Sequence, residues 1–345
     1  MLGQRDQSIR AMERALALVR ENRFVLRSAA RLFVHVDEPD RAHQLVVHAD
    51  STRGDPWLLA AEIAVATVAG RRPLFVRQGR QVLGGQDYPA LHTTELASAI
   101  ATVEMTAGDV KTARRPFKDS LVDPTDNSLA QAGWAATKMA GVEVAPELMR
   151  KPRSFEARAL RESREGQWRS AIRQCEDWLL DEPFSSRPAV LGSYLASVAE
   201  QDYRLSGQLA ERGLRANLGD PLLLNNLAVA LANEGRVDEA IKIFNEIGSI
   251  ADETRPTFLA TEGLLNFRSG RVDSGRRLYL DAIAQARRKG DRRTEALATL
   301  HLAREELLAG TEKAVESLAA AAKACEGIEW LEVGQMLRLI TDLRR

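Results

Sequence analysis

Apolar residues recur along most of the chain at three- and four-residue spacing, the period of one face of an α-helix. The clearest stretch is 221–248, PLLLNNLAVALANEGRVDEAIKIFNEIG. Leu224, Leu227, Ala228 and Leu231 share one face of a first helix, and Ala240, Phe244 and Ile247 share one face of a second. Asp220-Pro221 starts this stretch, the carboxylate capping the first amides and the proline fitting the first turn. Asp55-Pro56, Asp123-Pro124 and Glu182-Pro183 mark similar joints. β-branched runs of strand length are nearly absent, and VEVAP (142–146) is interrupted by charge. The pattern predicts an all-α chain.

Glycine followed after four residues by a small residue recurs at Gly3/Ser8, Gly108/Ala113, Gly166/Ala171, Gly235/Ala240 and Gly270/Gly275. Glycine past a helix end can take the left-handed conformation that closes the helix. The polar residues that follow suit a helix start, and the small residue lets the second helix cross close to the first. With Ala42, Ser206 and Ala314 as equivalents, the anchors 171, 206, 240, 275 and 314 are 35, 34, 35 and 39 residues apart. From Ala42 to Ala113 is 71 residues, two repeats.

From Gly3 to about Cys325 this pattern resembles the tetratricopeptide repeat family, the copy at 221–248 most closely. Cys175 takes the aromatic position of its copy, Gly275 replaces the usual alanine, and Asp37 stands where glycine is expected. The copies near 59–83 and after Asp291 are legible mainly by period. The resemblance implies a right-handed α-solenoid of antiparallel helix-turn-helix repeats of about 34–36 residues. First helices would line the concave surface and second helices the convex one. It implies no reaction.

The expected organisation has five parts. Residues 1–22 carry the second helix of an incomplete repeat, 23–123 regular repeats, 124–153 a shortened repeat, 154–326 further repeats, and 327–345 a capping helix around Leu331–Leu343. Ser8 lies 34 residues before Ala42, one period. The helix at about 6–21 therefore lacks its own first helix. The expectation is that the chain is cut from a longer protein, or completed by association through its N-terminal end. Ala113 and Ala171 are only 58 residues apart, where two repeats need about 68. The second helix between them should shrink to a turn or two at 146–150, bracketed by Pro146 and Pro152, with 142–151 exposed.

Composition narrows the function. The 345 residues are 45% hydrophobic, 28% charged and 5% aromatic, too apolar for disorder. No run approaches the 18 or so apolar residues of a membrane helix, and the first ten residues carry no signal-peptide core. Two cysteines, Cys175 and Cys325, suit a reducing compartment with free thiols, so a cytoplasmic location is expected. Forty-eight basic residues balance forty-eight acidic ones, which argues against nucleic acid, whose phosphates call for basic excess.

No phosphate loop, metal-binding helix motif or nucleophile elbow is present. His43 and His48 are five residues apart, which is not ligand spacing on one helix face, and the histidines are expected at the surface. His92 and His301 have no partner visible in sequence. Glu305 and Glu306 lie among charged residues and are expected to face solvent. Cys175 should be a buried structural thiol. Neither catalysis nor a cofactor is expected.

What remains is binding. Alignment on the small-residue anchors assigns Arg27, Arg31, Asn225, Val229, Asn233, Leu264 and Arg268 to the concave, partner-binding side. Peptide-carboxylate-binding members of the family carry a Lys/Asn/Arg clamp. Here Asn225 and Asn226 occur, but the next first helix has Ala260 and Thr261 where a cation is needed, so no clamp is expected. A second, basic patch at Arg150, Lys151 and Arg153 coincides with the break, whereas ARRKGDRR (286–293) reads as a solvated helix end. The leading expectation is a scaffold or adaptor for a protein or peptide. The alternative is the sensor or regulatory part of a larger bacterial effector or defence-type assembly, and a nucleic-acid-binding solenoid ranks last.

Overall fold

The computed structural model describes residues 4–85, 87–248 and 252–343. Gly3, half of the first glycine–serine pair, lies outside them. Among the described residues the regular elements are nineteen α-helices and three short 3-10 helices, with no strand. The chain divides into two compact units, 1–161 and 162–345.

The first unit holds α1 (Arg5–Leu18), α2 (Arg23–His35), α3 (Pro39–His48), α4 (Pro56–Val68), α5 (Val76–Gly85), α6 (Ala90–Thr106), α7 (Val110–Ser120) and α8 (Asp126–Ala136). The division falls inside α9 (Phe155–Arg164). Each first helix packs on its own second helix, as α2 on α3 and α6 on α7, and also on the next first helix, as α2 on α4, α4 on α6 and α6 on α8. Ile9, Met12 and Leu16 of α1 pack against Ala29, Leu32 and Phe33 of α2.

The second unit continues with α10 (Trp168–Asp181), α11 (Arg187–Val198), α12 (Tyr203–Leu214), α13 (Pro221–Asn233) and α14 (Val237–Asn245). It ends with α15 (Arg255–Arg268), α16 (Val272–Arg288), α17 (Arg292–Leu308), α18 (Ala314–Ala324) and α19 (Leu331–Leu343). The first helices α11, α13, α15 and α17 again pack in succession. Val333, Met336 and Ile340 of α19 join the core of α17 and α18.

The turns show why these hairpins form. Gly108, Gly166, Gly235 and Gly270 have φ of 89°, 74°, 84° and 76°, and Asp37 takes the same left-handed conformation at 63°. Aspartate tolerates it better than most side chains. The next amide then turns back to a carbonyl five residues earlier: Glu38 to Phe33 at 2.7 Å, Asp109 to Glu104, Arg236 to Leu231 and Arg271 to Asn266 each at 2.9 Å. Ala42, Ala113, Ala171, Ser206, Ala240 and Gly275 are each the fourth residue of their helix, and all are buried.

Gly275 shows what the small residue is for. A Cβ there would lie 2.6 Å from Phe267 Cδ2 and 2.8 Å from the carbonyl oxygen of Gly263. The backbones of α15 and α16 meet too closely even for alanine.

Four expectations are corrected. Ala314 is the first residue of α18 and only half-buried, so Ser317 is the equivalent position. The turn 309–313 is longer than the turn 269–271, which displaces the period. At the break, Pro146–Arg150 forms a 3-10 helix, but 142–151 is not wholly exposed. Val142 is 3% exposed among Phe117, Ala135 and Met139, and Leu148 and Met149 cover Leu129 and Ala130. His43 is not a surface residue. It is 6% exposed, and its Nε2 lies 3.0 Å from the Glu62 carboxylate, because Ala42, His43 and Val46 share the inward face of α3. The fourth correction concerns Glu305 and Glu306, 2% and 0% exposed rather than solvated.

Cys175 is fully buried, and burial raises its thiol to about 12, which leaves it an unreactive packing group.

Candidate functional site

Successive first helices of the second unit leave a cavity of about 540 Å³ among them. Short side chains make the room: Ala260 and Thr261 on α15, and Thr294 and Ala298 on α17. Val190 and Leu191 of α11, Leu222 and Val229 of α13, and Leu264 and Leu297 supply apolar walls. Tyr279 reaches the cavity from α16. Its ring passes so close to Gly263 that a Cβ there would lie 2.8 Å from Tyr279 Cδ2.

Polar groups are few and treated unequally. Asn226 Nδ2 donates to Ser193 Oγ at 2.9 Å and to the Val190 carbonyl at 3.3 Å, tying α13 to α11. Its neighbour Asn225 is 3% exposed and lines the cavity, and its Oδ1 has no hydrogen-bond partner. His301 lines the opposite side, where burial, and secondarily the charge of Arg304, lower its imidazole to about 3 and keep it neutral. Arg293 contacts the Tyr194 hydroxyl at 3.2 Å and pairs with Glu332 at 2.5 Å. Burial raises the Tyr194 phenol to about 12. Asp220 caps α13, accepting from the amides of Leu222 and Leu223, each at 3.0 Å.

Of the residues assigned from sequence to the partner-binding side, Asn225, Val229 and Leu264 come together at this cavity. Asn233 and Arg268 sit elsewhere. Arg268 Nε lies 2.8 Å from Glu305, and its Nη2 donates to Asn233 Oδ1 at 3.2 Å. Arg304 donates to the same Oδ1 at 2.7 Å and lies over the Tyr203 ring. Glu306 pairs with Arg276 at 2.5 Å. These carboxylates turn inward because long arginines on other helices reach them, a pairing that helical spacing within α17 does not display.

In the first unit Arg27 pairs with Glu95 at 2.6 Å and lies 4.6 Å from the centre of the Trp57 ring, while Arg31 is exposed. At the break Lys151 pairs with Asp123, and Arg150 and Arg153 are exposed. In 286–293, Arg287 pairs with Glu295 at 2.8 Å and Lys289 with Asp252 at 2.9 Å, so this stretch is more than a solvated helix end.

Sequence reasoning passed over Tyr194 and His301, although the repeat pointed to the first. A step of 35 residues joins Tyr194 to Val229 and Val229 to Leu264, and the same step joins Val190 to Asn225 and Asn225 to Ala260. His301 falls outside that register, 37 residues beyond Leu264.

The repeat is tetratricopeptide-like. No family model matches the chain, and no curated protein matches it. Among solved structures it is similar to the APC/C hetero-tetramer Cut9-Hcn1, at 13% identity over 99% of this chain and 70% of that one, with a TM-score of 0.38. It is also similar to yeast Tom70, at 13% identity over 99% of this chain and 86% of that one, with a TM-score of 0.40. Both likenesses are remote. No group of three or more His, Cys, Asp or Glu among the described residues could hold a metal ion, and no described helix is long and apolar enough to cross a membrane.

Proposed function

We propose that the chain is a scaffold or adaptor that binds a partner protein or peptide along the aligned faces of its first helices, in the cytoplasm and without a cofactor. The observation that carries this is the surface shared by α11, α13, α15 and α17, where one cleft collects side chains from four helices. Repeat arrays build such surfaces without a separate core for each site. In this reading Val229, with Asn225 and Leu264 behind it, meets the partner in the second unit, and Arg27 and Arg31 meet it in the first. Asn233 and Arg268 shape the surface from within. Arg150, Lys151 and Arg153 form a secondary contact.

The test is capture of partners from the native cell by the full chain, identified by mass spectrometry, with paired variants. Val229→Arg combined with Leu222→Arg should abolish capture while helicity is unchanged. Leu280→Arg, on the exposed side of α16, should leave it intact. Capture that ignores the first pair, fails only with the second, or disappears on nuclease treatment overturns the proposal. Association through the N-terminal end would use Leu18 and Phe24, which are 83% and 78% exposed. A concentration-dependent size abolished by Phe24→Ser is the expected sign, and a monomer at all concentrations refutes it.

The alternative of a sensor or regulatory solenoid is favoured by one feature, the unpartnered buried carbonyl of Asn225.

A further inference from the structure

A buried amide oxygen without a donor costs roughly 1–3 kcal/mol relative to one that is hydrogen-bonded, and such atoms are uncommon in folded proteins. Asn225 carries that cost on the wall of a cavity, beside Asn226, whose amide group is used between helices. A cavity of about 540 Å³ is within the ordinary size of small-molecule sites, roughly 300–1,000 Å³. Filled with water, it would hold on the order of ten molecules or more, each seeking two to four polar partners. The walls are mostly Val, Leu and Ala and supply few.

The charges at the cavity are engaged. Asp220 caps its helix, Arg293 is held by Glu332 and Tyr194, and Arg187 lies 5.1 Å from the centre of the Trp178 ring. An ionised guest would be stripped of water with no counter-charge to meet it, a heavy penalty. The neutral His301 ring offers one donor and one acceptor nitrogen and adds no charge.

We propose that this cavity binds one molecule of a small, uncharged, largely apolar compound bearing an N–H or O–H donor, of the aromatic amine, amide or phenol class, and that Asn225 Oδ1 accepts from that donor. The compound occupies the floor of the cleft between α11, α13, α15 and α17, and fixes the spacing of the helices whose outer rims form the proposed partner surface. This goes beyond the partner reading and gives the sensor alternative a chemical input.

The experiment uses the full chain and no partner, so its failure leaves the partner reading standing. N-phenyl-1-naphthylamine, uncharged with a single N–H, is titrated by fluorescence against its sulfonated relative 8-anilinonaphthalene-1-sulfonate. One saturable site for the uncharged probe is expected, with at least ten-fold weaker binding of the sulfonate. Ala260→Trp, which fills the cavity, should abolish binding at unchanged helicity. Val229→Trp serves if that variant does not fold. In competition, 1-benzylnaphthalene, with CH2 in place of N–H, should bind about three- to ten-fold more weakly than the amine, as one hydrogen bond implies. That difference should vanish in Asn225→Leu. Absence of a saturable site, equal binding of the sulfonate, indifference to the cavity-filling variants, or an N–H preference that survives Asn225→Leu each overturns the proposal.

Discussion

Two stretches of the same first helices treat buried polar groups in opposite ways. Two turns beyond Asn225 on α13, and one turn beyond His301 on α17, Asn233 and Glu305 are gripped by Arg268 and Arg304. There the protein supplies its own counter-groups and the interior is closed. At the cavity, Asn225 Oδ1 is left without a donor although it is comparably buried. The difference separates polar groups that hold the array together from one held ready for something else.

The closed stretch should suffer most from substitution. Glu305→Leu leaves Arg304, 7% exposed, beside Arg268 with no carboxylate, and should destabilise by about 3–5 kcal/mol, as breaking buried ion pairs does. Urea unfolding would show it, and a loss under about 1 kcal/mol would mean that the network is not the clasp described.

Gly275→Ala comes next, at about 1–3 kcal/mol for forcing a methyl against Phe267 and the Gly263 backbone. Retained stability would show that α15 and α16 can separate at little cost.

His301 gives a pH signature. Its folded value of about 3 lies below the ordinary 6.5, so the unfolded chain takes up the proton first. The stabilisation is complete above about pH 6.5 and is lost as pH falls from there toward the folded value. The slope is at most about 1.4 kcal/mol per pH unit. His301→Phe should flatten it, and an unchanged slope would assign the acid sensitivity to other groups.

The smallest effect bears most directly on the contrast. Asn225→Leu removes an unpaired oxygen and should leave stability unchanged or raise it by up to about 1 kcal/mol, whereas Asn233→Leu should lower it. Equal losses at both positions would erase the distinction.

The hairpins were legible in sequence because their determinants are local. A residue that must adopt positive φ is glycine or, at Asp37, a residue that tolerates it, and the fourth position of each second helix must be small. The buried charges were illegible because the partners of Glu305 and Glu306 lie 37 and 30 residues away, at Arg268 and Arg276. Nothing in EE on a charged helix tells an inward pair from a solvated one. His43 was misplaced for the same reason, since Glu62 stands on the next helix. The cavity was half legible. The register that placed Asn225, Val229 and Leu264 correctly also runs through Tyr194, but the longer connection before α17 breaks it at His301.

Glu62 does more than receive His43. Its carboxylate, 0% exposed, also accepts the amides of Leu74 at 2.9 Å and Phe75 at 3.3 Å, both in the connection between α4 and α5. One side chain thus fastens an otherwise irregular stretch to two helices. Amide-proton exchange at Leu74 and Phe75 should therefore be slow, in step with the helical amides of α4 rather than with neighbouring loop positions. In Glu62→Gln the two should exchange at loop rates. By this measure the connection belongs to the rigid interior, and a loop in outline behaves as core.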